Sequence, residues 1–136
     1  MKHNPRRGEE SELAVASELV AQGYGVSFPF GHNHQYDLIV DKDGSLYTVQ
    51  VKTAKHEEGN RYYIQADEDH YDRTYVDLLA GFSREKEAAL FIPVVEASGK
   101  RQRVTFTDFE RMGSDKNRDQ ANHISKYRFP EAIKRV

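Results

Sequence analysis

The 136-residue chain has no cysteine, no tryptophan and only four prolines. Without cysteine there is no disulfide framework, no thiolate nucleophile and no cysteine-ligated zinc. The six histidines show no metal-ligand spacing, so oxygen ligands are the metal chemistry that remains. No apolar run approaches the ~20 residues that span a bilayer, which excludes a membrane helix. The start, Met1 to Gly8, is polar and basic, unlike a signal peptide, and the expected location is the cytosol. Excess positive charge is missing too: 20 basic against 22 acidic side chains leave a net charge of −2. That argues against a protein that binds nucleic acid merely as a polycation.

What is present suits one ordinary core. With 38% apolar and 31% charged residues, residues 1–136 are expected to form a single soluble domain. Charge is uneven along it. Residues 57–87 carry nine acids and four bases, whereas residues 100–136 carry ten bases and five acids. Lys2, Arg6 and Arg7 make the other end basic as well. Such a split can hide a polyanion-binding face inside a near-neutral total; a solvated basic tail gives the same arithmetic.

Periodicity predicts a helix over Glu9–Gln22, with Leu13, Ala16 and Val20 in one row, Val15 and Leu19 in the next, and Gly23 as its stop. Tyr24–Phe30 reads as a short strand. Tyr36–Val40 and Ser45–Thr53, joined by Asp41-Lys42-Asp43-Gly44, read as a hairpin. Arg61–Gln65, Ala88–Val95 and Arg103–Phe106 are further strands. Tyr75–Phe82 is apolar enough for a strand or a helix. Thr107–Met112 reads as a helical turn and Gly113–Gln120 as a loop.

Four polar residues stand where apolar ones belong. Glu12 precedes Ala16 and Leu19 along the inward row of the first helix, so its carboxylate needs a partner. Asp37 opens the apolar run Leu38-Ile39-Val40. Gln50 and Lys52 alternate with Val49 and Val51 and share one face of their strand. A turn pairing Asp41 with Ser45 or Leu46 sets Asp37 opposite residue 49 or 50, beside Gln50. Two carboxylates, an amide oxygen and a lysine at one end of a hairpin suit a hard cation such as Mg²⁺, with phosphate completing its shell. Such a cation acidifies water, and a lysine orients that water and stabilises charge developing on phosphate oxygens. The same four residues would equally make a buried ion-pair network in which Lys52 neutralises the two acids.

Gly8-x-x-x-Glu12, Tyr36-Asp37 and Val49-Gln50-Val51-Lys52-Thr53 together resemble the PD-(D/E)xK nuclease superfamily in order and spacing. Residues 31–54 resemble more particularly the small homing endonucleases encoded in group I introns, where glutamine precedes the x-Lys. Asp77-Leu-Leu-Ala and Phe91-Ile-Pro-Val look like that family's later strands, so the likeness covers about residues 7–95. It implies an α/β fold of the restriction-endonuclease-like kind: an N-terminal helix, then a hairpin-centred mixed sheet with flanking helices. It further implies that Glu12, Asp37, Gln50 and the main-chain carbonyl of Val51 bind Mg²⁺, with Mn²⁺ able to substitute, and that Lys52 acts on the nucleophilic water. Two positions depart from the common motif: Tyr36 replaces its proline, and Gln50 replaces its second acid.

The implied function is a Mg²⁺-dependent endonuclease on double-stranded DNA, of homing type. Because one metal site cuts one strand, a homodimer or homotetramer is expected. Candidate DNA contacts are Arg6, Arg7, His34, Gln35, Lys55, Arg101 and Arg103. A junction-resolving nuclease and a non-catalytic DNA-binding module are the alternatives; glutamine at 50 counts against the former. His32-Asn33-His34 spells another nuclease class's letters without its ββα-metal spacing. His3, His56, His70 and His123 read as surface residues, and of Tyr62 and Tyr63 only one can face DNA.

Overall fold

Helix α1 (Pro5–Ala21) starts earlier than Glu9, at a proline whose missing N–H is no loss in a helix's first turn. It ends on Gly23, whose φ of 96° is open to glycine at little cost. There the N–H of Tyr24 donates to the Leu19 carbonyl (3.1 Å) and that of Gly23 to the Val20 carbonyl (3.0 Å). This double bond pattern is a Schellman cap. The computed structural model describes residues 5–31, 34–59, 61–65, 74–97, 101–105 and 123–136, so the turn and loop expected between Thr107 and Gln120 lie outside the described residues. The buried row of α1 is Ser11, Val15, Ala16 and Leu19, whereas Leu13 and Val20 are 62% and 58% exposed. At 3.6 residues per turn these two lie roughly 100–160° around the helix from Val15 and Leu19, so the core takes the second of the two apolar rows read from the sequence together with Ala16 of the first.

Five strands form the main sheet in the order β1 (Gly25–Ser27), β2 (Leu38–Lys42), β3 (Ser45–Thr53), β6 (Leu78–Ser83), β7 (Ala88–Pro93). All neighbours are antiparallel except β3 and β6, which run parallel. The β2–β3 turn is tighter than Asp41 to Gly44. Lys42 pairs with Ser45, leaving Asp43-Gly44 as the two central residues, both at positive φ (53° and 90°). That is the Asp-Gly signature of a type I′ hairpin, and the Asp41 carboxylate braces it by accepting the Gly44 N–H at 2.9 Å. β1 is shorter than Tyr24–Phe30, and β2 begins after Tyr36 and Asp37.

A second sheet, β4 (Lys55–Glu58), β5 (Arg61–Gln65) and β8 (Arg101–Thr105), is antiparallel in the order β4-β5-β8. β4, which the sequence reading did not include, continues β3 after Ala54. Cores lie on both faces of the main sheet. Val15 and Leu19 of α1, with Phe129 and Ala132 of the C-terminal helix α3 (Phe129–Ala132), cover Leu38, Val49, Leu78, Ala80 and Phe91. On the other face Ile64 of β5, with Ile124 and Tyr127, packs on Leu79, Leu90 and Ile92. β6 and β7 are thus sandwiched on both faces, which explains an unbroken apolar run in place of alternation and settles Tyr75–Phe82 as strand from Leu78. Gly81 lets the second sheet approach: a Cβ there would lie 2.8 Å from the Ile64 side chain. After β7 comes a short helix, α2 (Val94–Ala97).

Candidate active site

β3 carries the site because its two faces have different partners. Val49 and Val51 pack toward α1, so strand alternation puts Thr48, Gln50 and Lys52 on the other face. All three are partly buried. In register, Gln50 lies opposite Leu79 and Lys52 opposite Gly81 of β6.

The β2 side of β3 is irregular where it matters. Leu38 pairs with Val49, yet the preceding Asp37 N–H also reaches Val49, donating to its carbonyl at 2.8 Å. Two successive residues thus answer to one, as in a β-bulge, and such a kink re-aims a side chain. The Asp37 carboxylate is turned back onto β3, where its Oδ2 accepts the Val51 N–H at 2.8 Å. Asp37 is therefore tied to the peptide between Gln50 and Val51 by its side chain and to Val49 by its backbone.

Glu12 comes to Asp37 from α1. Its carboxyl is pushed up from 4.5 to about 7, first by burial and then by the Asp37 charge and a hydrogen bond with the Asp37 side chain. Two carboxylates brought together disfavour joint ionisation, and a proton or a cation relieves them. Of the sequence-predicted set, Glu12 of α1, Asp37 at the entry to β2 and Val51 of β3 are thus linked, while Gln50 and Lys52 flank Val51 on the other face of that strand. Among the described residues no group of three or more His, Cys, Asp or Glu that could hold a metal ion is present. Carboxylate and amide oxygens are hard donors, so these residues could hold Mg²⁺ or Mn²⁺.

The remaining predicted residues are scattered. Arg6 and Arg7 lie in the first turn of α1. His34 is exposed, its Nε2–H donating to the Phe30 carbonyl (2.8 Å) and its ring 5.8 Å from that of Tyr36; Gln35 is exposed beside it. Lys55 opens β4, beyond Lys52. Arg101 and Arg103 sit on β8 opposite Gln65 and Tyr63, with β5 between them and β4. Tyr62 is 3% exposed, so of the adjacent tyrosines it is the inward one.

Two residues with structural weight were not singled out from the sequence. The Asp77 carboxylate accepts the Thr48 N–H (2.9 Å), and its own N–H donates to the Thr48 carbonyl (3.1 Å), which pins the parallel β3–β6 register from the start. Glu18 accepts the Ala89 N–H at 3.1 Å on the outer edge of β7. Only partner geometry reveals either, since an acid before a strand or within a helix is common.

A family model described as PD-(D/E)XK endonuclease matches residues 2–130. Protein 5.3 of Escherichia phage T7 is 45% identical over 47 residues, 35% of this chain and 40% of that protein, so less than half of the relative is aligned. The solved structure of a bacterial homing endonuclease, I-Ssp6803I, superposes with a TM-score of 0.61 at 24% identity, covering 90% of this chain and 95% of that one. At that identity the superposition speaks for the fold: a mixed sheet with few helices.

Proposed function

Because the chain belongs to the PD-(D/E)XK endonuclease family, we propose that it is a Mg²⁺-dependent endonuclease that hydrolyses phosphodiester bonds in double-stranded DNA, with Mn²⁺ able to replace Mg²⁺. The observation that carries this reading is the Glu12–Asp37 pair, two carboxyl groups in mutual hydrogen-bonding contact.

Glu12, Asp37, the Gln50 amide oxygen and the Val51 carbonyl would hold the cation. When bound, it supplies charge neutralisation of the phosphate and acidification of a water. The chain's own residues supply position. The bond from the Val51 N–H to Asp37 fixes the carboxylate against the peptide whose neighbour donates the carbonyl, so two ligands are set by one hydrogen bond. Lys52, on the Gln50 face, orients the attacking water and stabilises negative charge growing on the phosphoryl oxygens. Gln50 leaves the site with two carboxylates, enough to balance one divalent cation.

The homing-type assignment rests on the glutamine variant of the motif and on likeness in fold to a bacterial homing endonuclease. Two strands need two sites, so the active species is a homodimer or homotetramer. The test is cleavage of plasmid and linear duplex with Mg²⁺, Mn²⁺ or EDTA. Wild type should cut only with metal, and Asp37→Ala and Lys52→Ala should not cut. Equal behaviour of all three proteins would leave a non-catalytic DNA-binding module, and preference for four-way junctions over duplex would point to a resolvase.

A further inference from the structure

Beyond Lys52 the chain passes through Thr53 and Ala54 into β4, and between this segment and the end of β6 lies a groove of about 240 Å³. Ala54 and Phe82 line it with apolar surface, while Lys55, His56, Arg84 and Glu85 supply its polar lining. It sits at the carboxyl ends of the parallel pair β3 and β6, where ligands collect in open sheets. We propose that this groove is a backbone subsite for DNA, holding sugar and phosphate next to the phosphate that is cut. The inference rests on the endonuclease reading and adds to it the path of the strand.

Spacing supports it. Three residues of extended chain separate Lys55 from Lys52, about 10 Å at ~3.3 Å per residue. A DNA strand presents one phosphate per ~3.4 Å of helix axis. The groove therefore lies within a few nucleotides of the reacting phosphate, in line with β3.

Lining chemistry supports it as well. Lys55 and Arg84 outnumber Glu85, and the Glu85 carboxylate accepts a hydrogen bond from the Ser83 hydroxyl at 3.3 Å. The His56 ring is held by its Nε2–H donating to the Gly59 carbonyl (2.8 Å) and by the Tyr62 ring 5.2 Å away. Apolar surface beside cationic groups matches a deoxyribose with its phosphate better than a free anion. Arg84 pairs with Glu10 of α1, both about half exposed. Such a pair is weak in water and exchanges readily for phosphate, which the planar guanidinium grips with two N–H groups. Glu10 thus keeps Arg84 extended and oriented until DNA displaces it. Summed along the sequence, Arg84 falls inside the acidic middle of the chain, so charge arithmetic conceals this site.

The experiment measures binding of the full chain to a labelled duplex in EDTA, with salt varied between about 50 and 200 mM. The double variant Lys55→Ala/Arg84→Ala should raise Kd roughly tenfold and lower the slope of log Kd against log salt by about 2. Glu10→Gln should tighten binding about twofold by releasing Arg84 to phosphate, an effect opposite to that of a damaged fold. An unchanged salt slope in the double variant overturns the subsite, as does a Glu10→Gln variant that weakens binding. If wild type still cuts with Mg²⁺ in either case, the endonuclease reading stands and the subsite alone falls. If wild type neither binds nor cuts duplex, both fall.

Discussion

Helix α1 carries two partly buried glutamates whose carboxyls are both held above the usual range by burial, and they are used in opposite ways. Glu18 meets donors: the Ala89 N–H at 3.1 Å, with the Arg128 charge nearby. Arg128 in turn donates to the Ala89 carbonyl at 3.4 Å. Together the two side chains occupy both main-chain groups of one residue on the β7 edge, beside the Phe91 N–H that the C-terminal segment takes through the Tyr127 carbonyl. Glu12 meets another acid. Burial alone therefore does not separate a structural carboxylate from a functional one; the sign of what faces it does. An edge strand left open is a template for unwanted pairing, and Glu18 helps to close it. The Glu12–Asp37 pair sets two acids together, and a cation would relieve their repulsion.

The sharpest way to break this contrast is to remove the groups at the Glu12 end. Asp37→Ala and Lys52→Ala should each reduce cleavage of duplex by roughly a thousandfold, measured as single-turnover rate at saturating Mg²⁺. Asp37→Ala also frees the Val51 N–H, so a small loss of stability accompanies it. A variant that retained more than a tenth of the wild-type rate would show that the removed group is not part of the reaction.

At the other end the same kind of deletion should affect the fold and spare the chemistry. Glu18→Ala strands the Ala89 N–H at a part-buried position and removes the carboxylate that the Arg128 charge faces. The expected cost is about 1–2 kcal/mol in denaturant unfolding, with the cleavage rate unchanged where the protein stays folded. Glu18→Gln keeps an acceptor for Ala89 and removes a charge. Its second oxygen already lacks a hydrogen-bond partner among the described residues, so this variant should be at least as stable as wild type. Loss of cleavage in a folded Glu18→Gln protein would erase the distinction between the two glutamates.

The contrast also marks how far the residues could be read in advance. Glu12 was legible because it heads an inward row and belongs to a spaced set with Asp37, Gln50 and Lys52. The β2–β3 hairpin was legible because Asp-Gly forces one turn. Leu13 and Val20 misled, since two apolar rows on one helix look equivalent until a sheet selects one. β4 was missed because Lys55-His56-Glu57-Glu58 lacks β-branched and aromatic residues; it pairs with β5, Lys55 to Tyr63 and His56 to Tyr62. Glu18 and Asp77 were overlooked because their meaning lies in main-chain groups far along the sequence, Ala89 and Thr48. The bulge-like step at Asp37 follows from no local signal, although the register that brings Asp37 beside Gln50 follows from the turn.

The smallest effect, and the one that tests the like-charge pair directly, is the pH dependence of folding without metal. Glu12 is ordinarily ionised above 4.5, but in the folded chain it keeps its proton to about 7. Between these values the folded state holds a proton that the unfolded state has lost, so stability falls as pH rises through this window and levels off above it. Because Glu12 remains open to water on one side, solvent screening reduces the loss to about 1 kcal/mol. Glu18 contributes with the same sign, since its carboxyl is also raised. Glu12→Gln should therefore flatten most of the fall, and make the metal-free protein more stable than wild type at pH 8 while it no longer cuts DNA. Mg²⁺ should reverse the slope in wild type, because a cation held by two ionised carboxylates favours the deprotonated folded state. It should leave the Glu12→Gln profile nearly unchanged. Chemical unfolding at closely spaced pH values, with Mg²⁺ and with EDTA, reads all of this. A wild-type profile indifferent to both the substitution and the cation would remove the repulsion on which the site assignment stands.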